Sequence, residues 1–292
     1  MNSLYKIALC QMSVTDDKGQ NLRNMAGHVE EAARNGARIV CLPEIWNSPY
    51  DMKRLAGYAE PADGPSATLM GDLARRYEIY LIGGSIPEIG PAGEAEAPAA
   101  AAELAEAAAT AANANKGGEP PRMYNTSLVF GPSGDVIAKH RKAHLFNVNI
   151  EKGIRFNESD FFMAGEGATA FETDFGTVGL AICFDLRFPE MFREMAGAGA
   201  HIVFLPASFN MTTGPAHWDT LIKARALDNQ IYFAACSAAR NLDASYISWG
   251  HSCVATPWGE YCACADARES IVYATIDVGY LNKIRRELPV GN

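Results

Sequence analysis

The sequence has no long uncharged apolar run. No stretch approaches the roughly 18 residues that a membrane-crossing helix needs. The first residues, MNSLYKIALCQM, show no basic segment followed by a long apolar one. Positive charge is also scarce: 25 Lys and Arg stand against 34 Asp and Glu, a net charge of −9 with no block of one sign. A nucleic-acid backbone calls for a Lys/Arg patch, so that partner is excluded here, as is a membrane. Cysteine is sparse, with 7 in 292 residues, at positions 10, 41, 183, 236, 253, 262 and 264. The odd number, placed mostly inside apolar runs, reads as reduced core thiols. CAC at 262–264 has no neighbouring Cys or His cluster, so no zinc site is expected. The expected protein is soluble and cytoplasmic, with a mitochondrial address left open.

What is present is a core. Hydrophobic residues make up 48% and charged ones 20%, enough for one large globular domain. The runs YKIALCQ, ARIVCLPE, IYLIGGSIPE, TVGLAICFD, AHIVFLPASF and QIYFAACSAAR read as buried strands. Residues 19–35, 65–77, 188–197 and 215–229 carry helical spacing between them. That alternation predicts an α/β fold with helix-covered sheets. YNTSLVFGPSGDVIAKHRK and SCVATPWGEYCACA read as hairpins turning at GPSGD and PWGE. Residues 89–121 stand apart. They hold 14 alanines within 92–115 and almost no large apolar side chain, so they read as a surface insertion carrying a short helix.

Three positions could carry chemistry. Cys183 ends an apolar run and precedes a helix-like segment with Pro189 near its start. A thiol at such a turn would feel the positive end of a helix dipole, which lowers its pKa. The competing reading is another core cysteine. Glu44 closes ARIVCLPE, where a carboxylate at a strand end is a cap, an ion-pair member, a catalytic group or a loop residue facing water. Lys142, in IAKHRKAHLF, shares an extended face with His140 and His144. It is either a surface lysine or part of a site, and a Cys–His pair using one of these histidines is the rival constellation.

Taken together, LPE at 42–44, HRKAHLF at 140–146 and CFDLRFPE at 183–190 resemble the three signature segments of the nitrilase, or carbon–nitrogen hydrolase, superfamily. The resemblance spans the chain apart from the alanine-rich insertion. It implies a single-domain, four-layer α-β-β-α sandwich. It also implies Glu44 as general base, Lys142 as oxyanion partner and Cys183 as nucleophile. A second glutamate, Glu158 in RFNESDFF, would hold Lys142; Glu151 in NIEKG fits the pattern less well. The Phe184 N–H would join Lys142 at the oxyanion, and neither metal nor organic cofactor is called for.

IWNSPYDM at 45–52, the stretch 207–240 and SYISWGHSCVATPWGE at 245–260 are similar to the omega-amidase branch of that superfamily. Its members hydrolyse the terminal amide of alpha-ketoglutaramate and alpha-ketosuccinamate. A substrate carrying a remote carboxylate needs a cation or a nest of backbone donors. Arg187 is the candidate cation, unless it is tied up by Glu190 or Asp185. Phe209 opens the loop FNMTTG, which offers backbone N–H groups and the hydroxyls of Thr212 and Thr213, and Tyr50 would close the pocket from the other side. His217 and Trp218 read as packing and capping at a helix start.

The alternatives are a related enzyme acting on N-carbamoyl compounds or another small amide, and a non-catalytic scaffold or redox-sensing thiol protein. A buried charged cluster without a task argues against the last. The resemblance also implies a homodimer or higher homo-oligomer. Because the chain stops at RRELPVGN, where relatives usually continue into a tail, weaker dimer association is expected.

Overall fold

The computed structural model describes residues 4–51, 54–90, 123–151 and 153–290. Most of the alanine-rich stretch therefore lies outside the described residues. Two β-sheets pack face to face at the centre. The first contains β1 (Leu4–Gln11), β2 (Ile39–Cys41), β3 (Tyr80–Ile82), β4 (Ile86–Ile89), β5 (Met123–Phe130), β6 (Val136–Arg141) and β15 (Ser270–Asp277). Its order is β15-β1-β2-β3-β5-β4, with β6 also paired to β5. The second contains β9 (Thr169–Thr173), β10 (Gly176–Leu180), β11 (Ile202–Ala207), β12 (Tyr232–Ser237), β13 (Cys253–Ala255) and β14 (Tyr261–Cys264), in the order β14-β13-β12-β11-β10-β9. A small ribbon joins β7 (Asn147–Asn149) to β8 (Arg155–Asn157).

The period-2 geometry of a strand explains the layering. Tyr5, Ile7 and Leu9 of β1 meet Ile202 and Phe204 of β11 and Tyr232 and Ala234 of β12 in the core between the sheets. The alternate residues Ala8 and Cys10 face outward, against α1 (Lys18–Arg34) and α2 (Pro65–Tyr77). On the other side Val203, Leu205, Phe233 and Ala235 face α3 (Pro189–Gly197) and α4 (Gly214–Asn229). Strands buried on both faces read as continuous apolar runs, as these do. The fold is the expected α-β-β-α sandwich. Among the described residues no helix is long and apolar enough to cross a membrane.

The helices start and stop for local reasons. The Asp17 side chain accepts the Gln20 N–H at 3.0 Å at the start of α1, while α2 and α3 begin with proline in the first turn. Glu78 and Gln230 end α2 and α4 in the left-handed conformation.

Some expectations differ from the structure. IYLIGGSIPE is two strands, broken at Gly83–Gly84, and TVGLAICFD ends as a strand at Leu180. The pair β15 and α5 (Val278–Glu287) completes the first sheet from the far end of the chain: β15 lies antiparallel along the whole of β1. The α5 start is capped by Asp277, which accepts the Tyr280 N–H at 3.0 Å.

The break at Gly84 positions the loop that carries Glu44. Gly84 sits at φ +61°, and a Cβ there would lie 2.1 Å from the Pro43 carbonyl oxygen and 2.8 Å from Trp46 Cδ1. Only glycine allows so close an approach. Gly84→Ala is expected to lower stability by at least about 2 kcal/mol, from the left-handed backbone plus overpacking. A denaturation midpoint that falls with an unchanged m-value checks this; an unshifted midpoint would show that the loop yields freely.

Candidate active site

Glu44 comes three residues after β2 and stands on a clamped turn. Ser85 Oγ accepts the Ile45 N–H at 3.0 Å, and the Trp46 indole N–H donates to the Gly83 carbonyl at 2.8 Å. Ile45 is held at φ 49°, an unfavourable conformation for a β-branched residue. Lys142 lies just past β6, and its own N–H donates to the Asn125 carbonyl at 2.9 Å. Glu158 opens a short 3₁₀ turn, Glu158–Asp160. Cys183 opens another, Cys183–Arg187, at φ 45°.

The structure brings the four together. Glu44 is 1% exposed, and Lys142 and Glu158 are 0% exposed. The Lys142 ammonium donates to Glu44 Oε1 at 2.9 Å and to Glu158 Oε2 at 2.8 Å. Glu158 Oε2 also accepts the Phe146 N–H at 2.6 Å. Glu151 is exposed and takes no part. Glu44 Oε1 collects three donors: Lys142, the Tyr50 hydroxyl at 3.2 Å and the Asn125 amide at 2.9 Å. Glu44 Oε2 is buried with no hydrogen-bond partner of standard geometry among the described residues. The Cys183 thiol couples to this carboxylate through a side-chain hydrogen-bonding interaction. The cluster thus has one oxygen fixed and one reserved.

Burial pushes the Glu44 carboxyl up, against the opposing pull of Lys142. It pushes the Cys183 thiol well up, and the Glu44 charge adds to that rise. This corrects the expectation of a thiol acidified by a helix terminus. Desolvation and a neighbouring carboxylate outweigh one short turn, so the resting sulfur keeps its proton and needs a base.

Asn125 escaped the sequence reading. Its amide N–H₂ bridges the two glutamates, at 2.9 Å from Glu44 Oε1 and 3.0 Å from Glu158 Oε1. Nothing in YNTSLVF marks it, because only the third dimension faces it toward both carboxylates. The aromatic wall was equally hidden apart from Tyr50 and Phe184. Tyr50 stacks on Tyr246 at 4.7 Å, Phe156 abuts both, and Phe146 continues to Phe184.

The Cys–His rival fails on geometry. His140 Nε2 lies 3.0 Å from Asp185 Oδ2 and His144 Nδ1 lies 2.8 Å from Asp185 Oδ1. Both imidazoles are therefore held by Asp185, which also accepts the Ile182 and His144 backbone N–H groups. The same bonds remove Asp185 as an anchor for Arg187.

Among the described residues no carboxylate forms an ion pair with Arg187. Its guanidinium lies 5.5 Å from the Phe184 ring and 5.3 Å from the Phe209 ring, and Nη2 lies 3.2 Å from His217 Nδ1. Phe209 is buried against Trp218. The FNMTTG loop does not offer its donors as expected. The Thr212 and Thr213 N–H groups both donate to Asn210 Oδ1, at 2.8 and 3.0 Å, and the Thr213 hydroxyl is turned to the same oxygen at 3.4 Å. Asn210 caps its own turn and consumes them; the Thr212 side chain is exposed. A cavity of about 410 Å³ is lined by Glu44, Tyr50, Ser208, Tyr246 and Ser248, together with Asp16, Arg54 and Asn241. Among the described residues no group of three or more His, Cys, Asp or Glu side chains is placed to hold a metal ion.

The two-sheet sandwich thus buries a thiol, a carboxylate and an ammonium in one cluster. The carbon–nitrogen hydrolase family model matches residues 6–286, and the chain belongs to that family of carbon–nitrogen bond hydrolases. It is 41% identical to omega-amidase NIT2-B of Xenopus laevis over 98% of this chain and 93% of that one. It is 42% identical to the chloroplastic omega-amidase of Arabidopsis thaliana, over 98% of this chain and 71% of the relative. The crystal structure of Saccharomyces cerevisiae Nit3, a member of branch 10 of the nitrilase superfamily, superposes with a TM-score of 0.82 at 34% identity, covering 99% of this chain and 96% of Nit3.

Asp185 yields a prediction with a defined sign. Despite its burial, hydrogen bonds from His140 and His144 hold its carboxyl well below the usual range. A depressed carboxylate stabilises the fold above its unfolded pKa of about 3.9 and loses that contribution as pH falls through the lower folded value. Asp185→Asn should therefore cost about 3 kcal/mol at pH 7, as breaking a buried pair does. The deficit should narrow below about pH 4, where the wild type alone loses its carboxylate contribution. Denaturant melts of both proteins across this range check it; a pH-independent gap would sink the assignment.

Proposed function

We propose that the protein is an omega-amidase: it hydrolyses the terminal amide of alpha-ketoglutaramate or alpha-ketosuccinamate, releasing ammonia and a 2-oxo dicarboxylate through a Cys183 thioester. The observation that carries the chemistry is the buried Glu44 carboxylate, with Oε1 fixed by three donors, Oε2 without a partner among the described residues, and the Cys183 thiol, raised by burial, interacting with the same carboxylate. The omega-amidases of Xenopus laevis and Arabidopsis thaliana, about 40% identical over nearly the whole chain, support the substrate.

The steps derive from these groups. Glu44 takes the Cys183 proton as sulfur attacks the amide carbonyl. The Lys142 ammonium donates to Glu44 Oε1 and to both oxygens of Glu158, at 2.9, 3.1 and 2.8 Å; giving up one of the two Glu158 oxygens turns an N–H to the oxyanion, with the Phe184 N–H as second donor. Glu44 passes the proton to the leaving nitrogen, and ammonia departs. Water then attacks the thioester, giving its proton to the same carboxylate; the C–S bond breaks, the 2-oxo dicarboxylate leaves, and Glu44 returns the proton to the Cys183 sulfur. Burial suits Glu44 to this traffic, because a raised carboxyl pKa moves its basicity toward neutrality. Glu158 and Asn125 hold Lys142 and Glu44 in register.

Arg187 reads the remote carboxylate in this scheme. Its support is a half-buried guanidinium near Cys183 with no ion pair among the described residues. Thr212 and Thr213 are left a smaller part, since Asn210 already holds their N–H groups. Tyr50 closes the opposite side against Tyr246. A homodimer or higher oligomer is part of the reading, supported by two exposed large apolar side chains, Leu227 next to Gly259 and Trp258 just before it in the chain. Seven free thiols support a reducing compartment, the cytoplasm or an organelle matrix.

The test is ammonia release across 2-oxo-acid amides, glutamine and N-carbamoyl amino acids. The expected kcat/KM for alpha-ketoglutaramate exceeds that for glutamine at least about tenfold, a gap of about 1.4 kcal/mol. Preference for an N-carbamoyl amino acid would overturn the substrate while leaving the chemistry. Cys183→Ala should abolish turnover, and Glu44→Gln should lower kcat at least about 100-fold. Arg187→Ala should narrow the preference for the substrate with a remote carboxylate; an equal fall for all amides would make the arginine structural.

A further inference from the structure

Cys253 and Cys264 stand directly opposite each other on the antiparallel β13–β14 ladder. Facing residues on such strands have Cα atoms about 4.5–5.5 Å apart. A disulfide spans about 4.4–6.8 Å between Cα atoms, so facing positions of this kind lie within disulfide reach. Both thiols are free. Cys253 is buried with the side chains under α4, whereas Cys264 is exposed on β14, the edge strand of its sheet. Cys264 also lines an open surface hollow of about 510 Å³, together with Asp266, Arg268 and Glu269.

The two sulfurs divide their roles. A hydrogen bond from Cys253 holds the Cys264 thiol below its ordinary range; Lys223 assists, while burial and Asp219 oppose. Burial pushes Cys253 well up. Two side chains of α4 hold Tyr261 on the same strand as Cys264: the Tyr261 hydroxyl donates to Asp219 at 3.1 Å, and Lys223 sits 4.5 Å from the Tyr261 ring centroid. The other exposed thiol, Cys262, is raised by burial, as is Cys183 in the pocket. The exposed sulfur, the one of the pair held below its ordinary range, therefore has a resolving thiol across the ladder and lies outside the amide-hydrolysing site.

We propose that Cys264 and Cys253 form a thiol–disulfide exchange site for low-molecular-weight disulfides, with Cys264 attacking and Cys253 resolving. In the first step the Cys264 thiolate attacks one sulfur of the reagent RS–SR. The S–S bond breaks, a Cys264–SR bond forms, and the departing thiolate takes a proton from water. In the second, Cys253 gives up its proton and attacks the Cys264 sulfur. The Cys264–SR bond breaks, the Cys253–Cys264 bond forms, and a second RSH leaves. Two electrons pass from the two protein thiols to the reagent, which is reduced to two thiols.

The test uses the whole protein and oxidised glutathione. No Lys or Arg lies between Cys253 and Cys264, but cleavage after Glu260 separates them. After oxidation the two halves should stay joined until a reductant is added. Cys253→Ser should instead accumulate a glutathione adduct on Cys264, and Cys264→Ser should give neither product. Unchanged ammonia release by both variants serves as the check on folding. Separate halves after oxidation of wild type, or an adduct arising first on Cys262 or Cys183, would overturn the proposal. So would Cys253→Ser without an adduct on Cys264. If Cys253→Ser does not fold, the wild-type linkage and its loss in Cys264→Ser decide the matter.

Discussion

A buried ammonium is the constraint on which the site depends. Lys142 has no exposure to water, and an isolated charge in that position would cost several kcal/mol. It is tolerated because Glu44 and Glu158 accept from it at 2.9 and 2.8 Å, and their charges hold its pKa well above normal despite desolvation. Two carboxylates facing one ammonium leave an excess of negative charge. Burial, reinforced by that charge, keeps a proton on the neighbouring thiol and raises the Glu44 carboxyl against the pull of Lys142. Burial and charge balance together thus make the sulfur dependent on a base and provide that base beside it.

The rest of the architecture can be traced to holding this balance in place. Each member comes from a different segment: Glu44 after β2, Lys142 after β6, Glu158 from the turn after β8, and Cys183 after β10. Segments so far apart in sequence need braces. Asn125 ties the two glutamates together. Asp185 ties the nucleophile turn to the lysine segment through His140 and His144. The left-handed backbone at Ile45 and at Cys183 is stored strain, which persists only where surrounding contacts over-determine the conformation. At Ile45 those contacts are Ser85 and the close approach of Gly84.

The layers were legible because doubly buried strands leave continuous apolar runs and helices leave caps. Even so, β15 was not read from the sequence. SIVYATID has strand character, but its partner β1 lies at the other end of the chain, and local pattern does not encode such pairing. Glu44, Lys142 and Cys183 stood out as charged or reactive residues at the ends of apolar runs. Asn125 did not, because a neutral amide inside a strand looks like any polar strand residue. The thiol's ionisation was misjudged for a related reason. Sequence places Cys183 before a helix, but only the fold shows that a carboxylate shares its pocket and that water does not. The Thr212 and Thr213 donors were misread because an asparagine two or three residues earlier can satisfy a loop from within, which spacing alone does not reveal.

The seven thiols show how strongly environment, rather than residue type, sets chemistry. Cys10 and Cys236 lie buried with the strand core, and burial raises both. Cys183 is raised as well, yet it alone among these three shares its pocket with a carboxylate that can take its proton. Its reactivity is therefore conditional. Without an electrophile seated against it the sulfur stays protonated and unreactive toward passing oxidants, since the thiolate is the nucleophile. Cys264 is the opposite case: exposed, it is held below the ordinary thiol range by a hydrogen bond from a partner thiol, with help from Lys223, without any substrate. A single chain can carry both kinds of sulfur because the sandwich gives each its own dielectric. One lies behind the Tyr50–Tyr246 stack and the other on a sheet edge open to solvent. That separation lets the edge thiols meet an oxidant while the pocket thiol keeps its proton until a substrate needs it.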